Sequence, residues 1–108
     1  MTDFLEQKCT QRAAAMSEGE VQRHLAQFSG WHLSAGAIEK TFAFKAWLET
    51  VAFVDALAWI CHVENHHPEL LVSFDRCTIR FSTHSAGGIS RNDFICAAKA
   101  DALIAFVG

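Results

Sequence analysis

The sequence predicts an α+β fold: a four-stranded antiparallel sheet with three helices packed on one face, in the order α-β-β-α-β-β-α. Three observations predict it. Two segments, Ser17 to Glu20 and Ser90 to Asp93, carry capping-box spacing ahead of apolar residues at helical intervals. A long apolar helical pattern runs between them, from about Lys45 to Glu64. The remaining stretches form two pairs of short strands with very short connections, which suit antiparallel hairpins rather than parallel crossovers.

Each element follows from its residues. The chain reads as a single domain over 1–108, with the first sixteen residues a loosely ordered lead. In the first helix the Ser17 hydroxyl takes a free amide and Glu20 reaches back. Val21, Leu25 and Phe28 recur on one side, and Gly30 ends the segment. Trp31 to Ser34 and Ile38 to Phe44 are strands around Ala35-Gly36. Ile38, Phe42 and Phe44 share a face, with Lys40 the exception. In the long helix Trp47, Val51, Val54, Ala58 and Cys61 form a stripe that Phe53, Leu57 and Ile60 widen, so this helix should be largely buried. Pro68 enforces a stop. Leu70, Val72 and Phe74 alternate, as do Cys77, Ile79, Phe81 and Thr83, around a turn at Asp75-Arg76 that would set Leu70 near Thr83. Gly87-Gly88 breaks the chain, and Phe94, Ile95, Ala98, Ala102 and Ile104 continue as the last helix.

Composition removes several functional classes. Nine basic against twelve acidic residues is the wrong balance for a phosphate-driven nucleic-acid binder. The opening residues lack the apolar core of a secretory signal, and the stretch from Val51 to Cys61 is too short to span a bilayer, so no membrane partner is expected. A cytoplasmic location follows as the expectation. Cys9, Cys61, Cys77 and Cys96 form no C-x-x-C and read as reduced bystanders.

Six histidines in 108 residues is a high share. His24 and His32 read as lone surface histidines with no part in a site. His62, His66, His67 and His84 fall where a hairpin brings the end of the long helix to the end of the last strand. Imidazole titrates near neutrality, so such a cluster can both give and take protons. A metal is the competing reading. It is disfavoured because adjacent histidines in an extended segment point to opposite sides and no H-E-x-x-H pair is present. Asp93 reads first as a helix cap, and Phe74 as a wall beside the histidines.

The set His62, His66-His67-Pro68-Glu69, Phe74, Thr83-His84 and Asp93, with Gly30-Trp31 and Phe42-Ala-Phe44 upstream, resembles the pterin-4a-carbinolamine dehydratase family across roughly residues 18 to 106. The resemblance implies dehydration of 4a-hydroxytetrahydropterin to quinonoid dihydropterin, with no cofactor and no metal. It implies His66 and His84 as the acid–base pair and His67 as the residue that binds and orients the pterin. His62, Pro68, Phe74 and Asp93 would complete the binding site. It also implies a homodimer or homotetramer, service to an aromatic amino acid hydroxylase pathway, and, as an alternative role, non-catalytic regulation of another protein. Phe74 stands where tyrosine is more usual, and His62 where an acidic residue is frequent.

Overall fold

The computed structural model describes residues 3–107, with side chains through Ile104. A 3-10 turn (Phe4–Glu6) precedes helix α1 (Glu18–Leu25), strands β1 (His32–Ser34) and β2 (Ala37–Ala43), helix α2 (Trp47–Glu64), strands β3 (Glu69–Ser73) and β4 (Arg76–Phe81), a second 3-10 turn (His84–Ala86), and helix α3 (Arg91–Val107). The sheet is antiparallel throughout, in the order β1-β2-β4-β3. The predicted α+β architecture is therefore the observed one.

Alternation sorts the sheet into two faces. Ile38 and Phe42 of β2, with Cys77, Ile79 and Phe81 of β4, are buried in the core. The opposite face is polar. There Thr41 and Thr78 share a 2.7 Å hydroxyl contact, and Arg80 donates to Glu39 at 2.6 Å. Lys40, the exception in the apolar pattern, has a partner. Its ammonium donates at 2.8 Å to Asp101, whose carboxylate also accepts from the Trp31 indole. The Lys40 stem crosses Gly30, which sits at φ +85°, and a Cβ there would fall 2.9 Å from the lysine Cε.

The β1–β2 turn places Ala35 and Gly36 at φ +47° and +81°. Positive φ at both central positions is the geometry that matches the twist of a two-residue hairpin. Glycine adopts it freely, whereas Ala35 does so with steric strain.

Three expectations change. First, α2 buries Phe53, Leu57 and Cys61 as expected, but its buried side turns toward Thr50 and Glu64 and away from Trp47 and Val51, which are 52% and 39% exposed. Apolar residues surround this helix, so periodicity offers two overlapping stripes centred about 80° apart, and docking selects the second. Thr50 and Glu64 can lie on it because both have partners: Thr50 donates to the Ala46 and Phe74 carbonyls, and Glu64 accepts from the Cys9 amide. Second, the β3–β4 turn is Phe74-Asp75, and Ser73 pairs with Arg76. Leu70 therefore faces Ile79 and not Thr83. The competing pairing of Ala43 with Arg76, and the bond from the Phe44 amide to the Asp75 carbonyl, hold the turn one residue early. Third, the lead is anchored from Phe4 onward. Phe4 is buried against Phe94 and Phe28, the Thr10 amide and carbonyl both bond the Asn92 side chain, and the Met16 amide donates to the Ile89 carbonyl. Without an apolar period these contacts leave no trace in the local sequence.

Candidate active site

The site begins where α2 stops. Asn65 takes the left-handed conformation at φ +51°, and the His66 amide donates back to the Cys61 carbonyl at 3.1 Å. Asparagine tolerates this conformation as a helix C-cap, so the helix ends before Pro68 can break it. The reversal turns His66 inward and His67 outward, as neighbours in extended chain must be. The His66 side chain is 11% exposed, and its ring stacks on Phe81 with centroids 6.0 Å apart.

His66 is held by a buried carboxylate. Its Nε2 lies 2.6 Å from Asp93 Oδ1, and Asp93 is fully buried. The other oxygen, Oδ2, accepts from the Thr83 hydroxyl at 2.8 Å and from the Ser90 amide at 2.9 Å. Thr83 has spent its one hydrogen on Asp93, so the Ser90 hydroxyl must donate to Thr83 across their 2.7 Å contact. The Ser90 oxygen in turn accepts from the Asn92 amide. Among the described residues no buried side-chain polar atom is left without a partner. Asp93 thus serves both as the cap residue expected from its spacing and as the anchor of a histidine. A carboxylate accepts only, so in the neutral ring Nε2 carries the hydrogen and Nδ1 the lone pair.

The remaining site residues take different places. His84 is exposed at the start of the 3-10 turn that Gly87 closes at φ +72°. It lines a hollow of about 460 Å³ with Arg80, Glu69 and Thr83. His66 lines one of about 370 Å³ with Cys9, Glu64, Thr83 and Asn92. Thr83 borders both hollows. His67 and His62 are exposed around a third, of about 390 Å³, beside Ala58 and Trp59. The His62 ring is set edge-on to Trp59 at 6.0 Å. Pro68 is half-buried between His67 and β3. Phe74 is 67% exposed in the β3–β4 turn, at the opposite end of the hairpin, and within one chain it is not part of the histidine rim. Among the described residues no three histidine, cysteine, aspartate or glutamate side chains converge as a metal cage.

Several contributors escaped the sequence reading. Thr83 reads in the sequence as an alternating strand residue beside His84, and Ser90 as a cap, with no sign that both bond the Asp93 carboxylate. Cys9 and Glu64 gave no signal as walls of the His66 hollow. Glu64 is also electrostatically set. Burial pushes its carboxyl up, but the Cys9 amide, Lys8 and Lys99 outweigh that and hold it below the usual carboxylate value.

Known proteins resemble this chain in sequence and fold. The family model for pterin 4 alpha carbinolamine dehydratase matches residues 14–103. A Bdellovibrio bacteriovorus protein is 48% identical over 106 residues, covering 94% of this chain and 88% of its own length. One from Stenotrophomonas maltophilia is 54% identical over 90 residues, covering 82% and 78%. Both bear the name "Putative pterin-4-alpha-carbinolamine dehydratase". Among solved structures, a transcriptional coactivator/pterin dehydratase from Brucella melitensis superposes with a TM-score of 0.80 at 27% identity, over 87% of this chain and 99% of that one. A pterin dehydratase-like protein described as a RuBisCO assembly factor of the alpha-carboxysome gives 0.57 at 26% identity, over 68% and 84%. With a family model spanning most of its length, and relatives near half identity over most of theirs, this chain belongs to the pterin 4 alpha carbinolamine dehydratase family.

Proposed function

We propose that the chain is a hydro-lyase that dehydrates a 4a-hydroxytetrahydropterin to the quinonoid dihydropterin and water. The observation that carries this is the His66–Asp93 pair: an imidazole on the wall of an open hollow, fixed by a fully buried carboxylate. The reaction removes hydroxide from a ring carbon and a proton from the adjacent ring nitrogen. His66, with Nε2 tied to Asp93, offers Nδ1 as the base for that nitrogen's proton. His84, exposed across Thr83, supplies a proton to the departing hydroxyl in its protonated form. His67, with His62 and Pro68 beside it, binds and orients the flat ring.

Direct assay of 4a-hydroxytetrahydropterin dehydration by ultraviolet absorbance tests this. His66→Gln and His84→Gln should each lower the rate by about 10²–10⁴, the usual worth of a positioned acid or base, with an unchanged circular dichroism spectrum. Unchanged rates in both variants would defeat the assignment. The product is an oxidised pterin that a reductase can return to service, so the reaction suits recycling for an aromatic amino acid hydroxylase in the cytoplasm. Among the described residues no helix is long and apolar enough to cross a membrane.

A second role is favoured by a specific observation. Along α2, Trp47, Leu48, Trp59 and Val63 are 52%, 79%, 66% and 65% exposed, and edge strand β3 leaves Leu71 74% exposed. Apolar patches and bare strand edges of this kind mark association surfaces. We propose that they assemble a homodimer or homotetramer, and that the same surfaces would serve any non-catalytic regulatory role. Sedimentation of Leu48→Glu beside the parent tests it. Two monomeric species would reject assembly.

A further inference from the structure

Outside the histidine site, the N-terminal segment and α3 bring two thiols together. Cys9 Sγ lies 3.6 Å from Cys96 Sγ, across 87 residues of chain. We propose that Cys9 and Cys96 are a peroxide-sensitive pair that forms a reversible disulfide, clamping the N-terminal segment to α3 beside the hollow that His66 lines. Cys9 is half-buried and forms part of the hollow wall, so a small oxidant reaches it from solvent. Cys96 is fully buried behind it and is reached through Cys9.

The hydrogen bonds assign the roles. The Cys9 thiol donates to the Asn92 carbonyl at 3.7 Å, so in the sulfur pair the Cys96 thiol is the donor. The bond to Cys9, and then burial, push the Cys96 thiol far up, and burial pushes Cys61 up to about 12. Cys96 therefore answers an oxidised Cys9 rather than reacting first. In the first step the Cys9 sulfur attacks one peroxide oxygen. The O–O bond breaks, one water leaves, and Cys9 becomes a sulfenic acid. In the second step the Cys96 sulfur attacks the Cys9 sulfur. The S–O bond breaks, and hydroxide leaves with the Cys96 thiol proton as a second water. The two thiols lose two electrons in all, and the peroxide is reduced to two waters.

The sulfurs already lie near each other. Closing 3.6 Å to the disulfide length of about 2.05 Å asks for about 1.5 Å of approach. The Cys9 amide on Glu64 and the Thr10–Asn92 pair hold the backbone on both sides of the contact, so the approach falls to the two side chains and a small shift of a segment that lies outside the sheet.

The full chain, freshly reduced, should be treated with stepwise hydrogen peroxide, quenched by alkylation and read by intact mass and peptide mapping. Expected are a loss of two hydrogens, a Cys9–Cys96 cross-linked peptide, and full reversal by a dithiol reductant. Cys9→Ser should abolish the cross-link and leave Cys96 reduced. Cys96→Ser should stop at Cys9 and carry it on to sulfinic acid. A parent protein that accumulates sulfinic acid at Cys9 with Cys96 free, a cross-link through Cys61 or Cys77, or no cross-link at all would each overturn the proposal.

Discussion

Replacing Asp93 by asparagine separates the fold-holding role of this residue from its hold on His66. The carboxylate takes three hydrogen bonds, from Ser90, Thr83 and His66. In Asp93→Asn the amide oxygen can keep the Ser90 and Thr83 donors. The amide nitrogen then faces His66 Nε2 at about 2.6 Å and must donate. The ring is left to accept there, so in its neutral form the hydrogen moves to Nδ1. The three bonds can persist, but the second amide hydrogen has no acceptor at this fully buried position, so the loss is that unmade bond together with the charge assistance, about 2–5 kcal/mol. Catalysis should suffer too. A hydrogen on Nδ1 blocks the lone pair that the proposed base uses, and the rate should fall about 10²–10⁴-fold, or about 3–5 kcal/mol of barrier. Dehydration kinetics, urea unfolding and the ¹⁵N shifts of the His66 ring read the three consequences separately. A variant with the ring hydrogen on Nδ1 and a rate within about twofold of the parent would refute the reasoning, because it would show a base that does not need Nδ1. Asp93→Ala is a poor substitute, since it strands three buried donors and puts the fold itself at risk.

Other perturbations test other parts of the structure. Thr83→Val removes the donor to Asp93 and the acceptor for Ser90, so the urea midpoint should fall by the equivalent of about 1–3 kcal/mol. Ala35→Asn places a residue tolerant of positive φ in the β1–β2 turn and should raise stability by about 0.5–1 kcal/mol in the same assay, while Gly30→Ala should lower it through both φ strain and the Lys40 clash. Glu64 has a folded value below its unfolded value of 4.5, so its contribution is fully present above that value and is lost as pH falls through the lower one. Stability curves of the parent and Glu64→Gln should therefore converge in acid, and a gap constant from neutral pH into acid would refute this. Chelation with EDTA should leave the dehydration rate unchanged, and a loss restored by zinc would restore the metal reading.

The sequence by itself determined what local patterns can encode. The capping boxes at Ser17 and Ser90, the alternation in β2 and β4, and the turn residues between strands set the element order. That order, with antiparallel hairpins, leaves few folds to choose from. The histidines and Asp93 stand out in one dimension as a spaced set, but spacing does not show that His66, His84 and the His62–His67 pair border three different hollows. Tertiary structure alone decided which side of α2 faces inward, since an all-round apolar helix carries no single period. It decided the hairpin register, which rests on Ala43 pairing with Arg76 across a different strand. It also decided that Asp93 grips His66, that Phe74 lies apart from the histidines, and that Cys9 meets Cys96. Each of these joins residues far apart in the chain, and such contacts depend on the summed packing of the whole molecule rather than on any local preference.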